Sequence, residues 1–152
     1  MSKNIALTPV SPALCGLAQA AELLGDRWTL LILREVFYGV TRFEQMREHI
    51  GATKQTLTTR LAKMVEQDLL AKRSYQESGM RERYEYVLTD KSRSLGPVLA
   101  ALMVWGHQHI LHDEPHLQLT EKHSGQPVQP GFVTAEGKAV AQDDLILTPL
   151  RR

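Results

Sequence analysis

The chain has 152 residues, of which 43% are hydrophobic and 23% charged, with a formal net charge of +1 and a single cysteine. That is enough material for one core and a short appendage, and Cys15 alone excludes an intramolecular disulfide or a thiolate-rich zinc site. The longest apolar runs, 30–33 and 98–105, fall well short of the roughly 18 residues of a membrane span, so a cytoplasmic protein with no membrane partner is expected.

Ser11-Pro12 places a capping hydroxyl and an N1 proline ahead of Leu14, Leu17, Ala18, Ala21 and Leu24, which predicts a first helix stopped at Gly25. Asp26 caps a second helix whose apolar residues Trp28, Leu30, Leu31, Leu33, Val36 and Phe37 surround most of its circumference, which predicts a buried central helix. Thr41-Arg42-Phe43-Glu44 has the form of a capping box and opens a short helix, with Phe43 and Met46 facing inward, up to the turn at Gly51. Thr53 caps a fourth helix with one buried stripe, Leu57, Leu61, Met64 and Val65. Its opposite face carries Gln55, Thr58, Thr59, Ala62, Lys63 and Glu66.

Residues 72–75 and 83–88 predict a β-hairpin with a basic tip at 77–81. Thr89-Asp90 opens a long last helix with Leu95, Val98, Leu99, Leu102, Trp105 and Ile110 along one stripe, and Pro97 is placed to kink its first turns. Such a stripe is longer than a small domain covers, so it and the first helix predict a homodimer surface. Short strands joined by turns are expected around 117–120, 132–134 and 145–147. The expected organisation is 11–112 as one domain and 113–152 as a β-hairpin-like extension. The fold class is α+β: a winged helix-turn-helix, mostly helical, with one hairpin wing and a small C-terminal β appendage.

Charge is uneven along the chain. Residues 53–93 hold nine Lys or Arg against six Asp or Glu, whereas 113–152 hold four against six. A helix, a glycine turn, a polar-faced helix and a basic hairpin form an arrangement suited to double-stranded DNA, because the major groove admits one α-helix. Lys54, Gln55, Thr58 and Thr59 are the candidates for reading base edges. Arg42, Thr53, Arg60, Lys63, Arg81 and Arg83 are the candidates for phosphate contacts, which fix register rather than sequence. The rival reading is a protein-interaction module that keeps the fold without sequence-specific DNA binding.

The segments Gly25-Asp26-Arg27-Trp28-Thr29-Leu30-Leu31-Ile32-Leu33, Arg42-Phe43, Leu57-Thr58-Thr59-Arg60-Leu61, Tyr75, Tyr84-Glu85-Tyr86-Val87-Leu88-Thr89 and Trp105-Gly106 together resemble the HxlR-type winged-helix regulators, relatives of the MarR-like regulators. The resemblance spans about residues 13 to 110 and implies a dimer on an inverted-repeat operator, with the outermost helices of the subunits packed together. In that family a cysteine at the matching position, often followed by proline, senses oxidants or electrophiles in some members. Here Cys15 is followed by Gly16, and two readings stay open: a redox sensor whose thiolate the helix start stabilises, or a small packing residue. The tail looks like the zinc-ribbon-like extension of some longer members without its cysteines.

Five of the six histidines fall between 107 and 123, and His109, His112 and Asp113 can share a helical face; a metal site and a polar helix end are both compatible with that pattern. A small-molecule effector between the subunits would lodge beside Trp28, Trp105 and the first helix, although two core tryptophans need no ligand to explain them. No Gly-rich phosphate loop, nucleophile elbow or H-E-x-x-H pattern occurs, so neither catalysis nor a cofactor is expected.

Overall fold

The computed structural model describes residues 10–148, and the last four residues of the expected extension lie outside them. Pro12–Leu14 form one 3-10 turn in which the Ser11 hydroxyl makes no cap bond, and helix α1 spans Gly16–Leu24. The helix begins later than the Ser11-Pro12 signal predicts. Proline's fixed φ suits a 3-10 turn equally well, and Cys15 is extended (φ −97°, ψ 114°) between the two. Gly25 ends α1 where no other residue fits easily, since a Cβ there would lie 2.3 Å from the Ala21 carbonyl oxygen.

Asp26 caps α2, Arg27–Phe37, by accepting the Thr29 amide at 3.0 Å. Thr29, Ile32, Leu33 and Val36 form its buried stripe, joined by Glu35. Trp28, Leu30, Leu31 and Phe37 are only half-buried, so α2 has one buried face and is not enclosed all round as its composition predicts. Helices α3, Phe43–Ile50, and α4, Lys54–Glu66, close the core with Met46, Ile50, Leu57, Leu61 and Met64. The chain then enters an antiparallel hairpin, β1 (Leu70–Tyr75) and β2 (Arg83–Leu88), in the register Leu70 to Leu88 and Tyr75 to Arg83.

The expected capping box at Thr41 does not form. Arg42 is the N-cap of α3 without a side-chain bond, and Glu44 instead takes the Arg47 guanidinium at 2.9 Å. Thr41 is drawn to the hairpin: its hydroxyl donates to Glu85 at 2.9 Å and its carbonyl accepts the Tyr86 amide at 2.8 Å. A capping box does form at Thr89, reciprocally with Ser92, at the start of α5, Asp90–Arg93.

The expected long last helix is broken in two. Pro97 lacks an amide proton, and its ring excludes helical continuity with the carbonyl four residues back, which belongs to Arg93, the last residue of α5. Helix α6, Gly96–Gly106, follows and runs into one π-helical turn, His107–Leu111, that stops at His112 in the left-handed region. Contacts divide the chain into two compact units, Ser11–Gly96 and the residues from Pro97 onward with Val10, a break that precedes the expected boundary at residue 112. In the second unit β3 (Phe132–Val133) pairs antiparallel with β4 (Ala139–Val140), and a single bridge joins Thr120 to Pro127. Residues 145–147 form no strand; they follow a 3-10 turn at Gln142–Asp144.

Candidate nucleic-acid interface

The interface is built on the three residues between α3 and α4. Gly51 is left-handed (φ 67°) and returns its amide to the Arg47 carbonyl at 3.0 Å, a geometry that favours glycine. Ala52 is buried, and the Thr53 hydroxyl caps α4 by accepting the Thr56 amide at 3.1 Å. With Leu57, Leu61 and Met64 locked inward, the helical period turns Lys54, Gln55, Thr58, Thr59, Ala62 and Lys63 outward, and all six are exposed. Thr58 donates its hydroxyl proton to the Lys54 carbonyl at 2.8 Å, which leaves its oxygen lone pairs facing outward as acceptors.

Arg60 is placed differently from its neighbours. It is half-buried and reaches back to Asp26 at 3.3 Å, tying α4 to the start of α2. Burial pushes the Asp26 carboxyl up, but the bonds from Thr29, the charge of Arg60 and the Trp28 amide outweigh it and hold the group below its ordinary 3.8.

The hairpin lies beside α3. An isolated bridge pairs Arg42 with Glu85, and Glu85 also takes the Arg73 guanidinium at 2.7 Å. The bonds from Arg73 and then from Thr41 hold the Glu85 carboxyl below its usual range. Arg42 pairs with Glu77 at 2.8 Å and lies 4.5 Å from the Tyr75 ring centre, so the tip of the hairpin is fastened to α3. The tip itself turns at Gly79 (φ 75°). Arg81 and Arg83 are exposed there, and neither they nor Lys54 and Lys63 make an ion pair among the described residues.

Three features carry no signal in the sequence. Glu35, 2% exposed, takes Arg34 on one carboxylate oxygen and His49 at 2.6 Å on the other, which joins α2 to the end of α3. The Asp26–Arg60 tie and the Thr41–Glu85 bond likewise link residues 34 and 44 positions apart.

Cys15 is half-buried at the N-cap of α1, the location from which a thiol meets a helix start. The histidine stretch is arranged otherwise than a shared face of His109, His112 and Asp113. Asp113 pairs with His107 at 2.6 Å, His109 rests on Trp105, and among the described residues no three His, Cys, Asp or Glu converge as a metal site. No helix of the described residues is long and apolar enough to cross a membrane.

Comparison with known proteins agrees with this geometry. An uncharacterized HTH-type transcriptional regulator of Mycobacterium tuberculosis is 40% identical over 116 residues, covering 76% of this chain and 72% of the relative. The crystal structure of PA1607, a candidate transcription factor, superposes with a TM-score of 0.73 at 35% identity, covering 90% of this chain and 95% of that one. PA1374 of Pseudomonas aeruginosa, another candidate transcription factor, gives a TM-score of 0.58 at 31% identity over 89% of this chain and 92% of its own. The winged helix-turn-helix fold is therefore shared with these neighbours, and the structural match to PA1607 takes in nine-tenths of this chain. The family model for HxlR-like helix-turn-helix proteins matches residues 23–114, more than half of the sequence, and the chain belongs to that family.

Proposed function

We propose that the chain is a sequence-specific DNA-binding transcription regulator that acts as a homodimer on an inverted-repeat operator. The observation that carries this reading is the outward face of α4, where Lys54, Gln55, Thr58 and Thr59 are all exposed at the end of a rigid turn. Seated in the major groove, Gln55 and Lys54 meet base edges, and Thr58 accepts from a base amino group because its own proton is committed to the helix. Lys63, Arg81 and Arg83, none paired within the described residues, neutralise phosphates, with Thr53 and Arg42 at the margins. Arg60 braces α4 against Asp26 rather than reaching the backbone.

Support for the dimer comes from apolar residues left uncovered in one chain. On the first helical segment Leu14 and Leu17 are exposed, and on α6 Val98, Leu102 and Trp105 are, with only Ala100 buried. Helices of this kind are normally covered by a partner. The reading gives the protein a role in regulation and none in catalysis.

Selection of bound fragments from random duplex DNA tests the proposal. An inverted repeat is expected, with half-sites about one helical turn apart or a multiple of that. On the selected site Thr58→Ala should weaken binding about fivefold while leaving the salt dependence unchanged, the behaviour of a base contact rather than a phosphate contact. Affinity that is flat with salt would refute the proposal.

A further inference from the structure

We infer, resting on the homodimer proposed above, that the C-terminal extension is an interaction surface for a second copy of this chain and closes over that copy's α6. Among residues 108–148 none is buried, and only Pro115, Pro130 and Val140 are even half-buried. The backbone is nonetheless regular there. The Val128 amide donates to the Leu119 carbonyl at 2.9 Å, and the Glu121 carboxylate accepts the amides of His123 and Ser124 at 2.9 and 2.6 Å. The Thr134 amide donates to the Lys138 carbonyl at 2.9 Å.

Hydrogen bonds open to water add little net stability, and a two-stranded ribbon is marginal until something packs on it. In the β3–β4 ribbon Phe132 pairs with Val140 and Val133 with Ala139, so Phe132 and Val133 point to opposite faces. Both are more than half exposed, and neither face is closed by the ribbon's own chain. Leu117, Leu119, Ile146 and Leu147 are exposed as well. At somewhat over 100 Å² each, these six side chains leave on the order of 800 Å² of apolar surface open, about what each partner of a standard interface contributes.

Charge and symmetry identify what covers that surface. Residues 113–152 hold six Asp or Glu against four Lys or Arg, which repels a phosphate backbone or an anionic lipid surface. Helix α6 has no charged residue, and its Val98, Leu102 and Trp105, at i, i+4 and i+7, leave one face uncovered. The chain passes from α6 through a single π-helical turn into the extension, so a second copy seated on that face meets the extension directly. In a two-fold dimer each extension covers the other copy's α6, and the assembly closes at two.

Sedimentation equilibrium of the full chain without DNA gives the dimer dissociation constant. Phe132→Glu and Ile146→Glu, both at positions exposed in the single chain, should each raise it about tenfold or more. Lys122→Gln, a polar change in the same extension, should leave it unchanged. Circular dichroism checks that the variants fold. Hydrogen exchange of the parent chain, above and below that constant, supplies a test free of substitutions: the Val128 and Thr134 amides should exchange about tenfold or more faster in the monomer. A monomeric parent chain would overturn the homodimer and this inference together. A dimeric parent whose constant is unchanged in folded Phe132→Glu and Ile146→Glu would overturn this inference alone and leave the extension to a different partner. Equal exchange in monomer and dimer would also overturn it, since the extension would then be complete on its own chain.

Discussion

Asp26→Ala removes three interactions at once, and their sum is measurable. The Thr29 amide loses its cap, worth about 1 kcal/mol. The Thr29 hydroxyl, 1% exposed, loses its carboxylate acceptor, which costs about 1–3 kcal/mol when nothing replaces it. The Arg60 ion pair is partly exposed and screened, and adds under about 1 kcal/mol. Together these predict about 3 kcal/mol of destabilisation, read from urea unfolding followed by tryptophan fluorescence. Asp26→Asn retains a good cap and should lose only about 1 kcal/mol, the part due to charge.

The sign with pH follows from the depressed carboxyl. Its stabilisation is complete above the ordinary value of 3.8 and is lost as pH falls through the lower folded value, so the parent protein should lose stability relative to Asp26→Asn in that acid window. Arg60→Gln completes the test on the functional side. As a brace it should lower stability slightly and leave the salt slope of DNA binding intact, whereas a phosphate contact would reduce that slope by about 0.9. A loss below about 0.5 kcal/mol for Asp26→Ala, or a slope reduced in Arg60→Gln, would refute the assignment of this pair as a structural tie.

Other expectations are direct. Gly51→Ala has open space for its methyl group but must hold φ at 67°, so it should cost about 1–2 kcal/mol in thermal or chemical unfolding through backbone strain alone. Leu61→Ala, at 0% exposure beneath the outward face of α4, should cost about 2–5 kcal/mol and weaken DNA binding at temperatures where the parent protein is unaffected. Trp105→Glu, on an exposed and apolar helix face, should leave the fold of one chain intact by circular dichroism and shift sedimentation from dimer to monomer. Lys63→Gln should lower the salt slope by about 0.9 without altering the preferred sequence.

Much of this fold is legible in the sequence because its signals are local. Asp26 and Thr53 cap the helices that their positions predict, and the stripe Leu57, Leu61, Met64 needs only the helical period to be found. Once that stripe faces inward, the outward set from Lys54 to Lys63 follows by geometry. Arg60 departs from the pattern because its partner lies 34 residues away, and helical phase cannot report a long-range ion pair. The division at Pro97 was equally ambiguous: a proline early in an apolar stripe serves as the first turn of a new helix or as a kink in an old one, and only the placement of Arg93 decides between them.

The most consequential departure is at Thr41. A threonine three residues before a glutamate has a helix start to cap, yet here the same hydroxyl also has Glu85 within reach, in a carboxylate that is 17% exposed and already paired with Arg73. The strong bond to an ionised carboxylate fixes the direction of the side chain: Thr41 donates its proton to Glu85, and α3 starts one residue later with Arg42 at the N-cap. The cost is a weaker start to α3, which begins with no side-chain cap at Arg42. The return is that Thr41, through its hydroxyl and its carbonyl, joins the hairpin to the helix that precedes the turn into α4. Arg42 strengthens the same join by reaching Glu77 near the hairpin tip. Residues 41 and 42 thus tie the start of α3 both to the middle of β2 and to the basic tip, which is what the proposed function needs if the outward face of α4 and the hairpin are to meet one duplex in a single register.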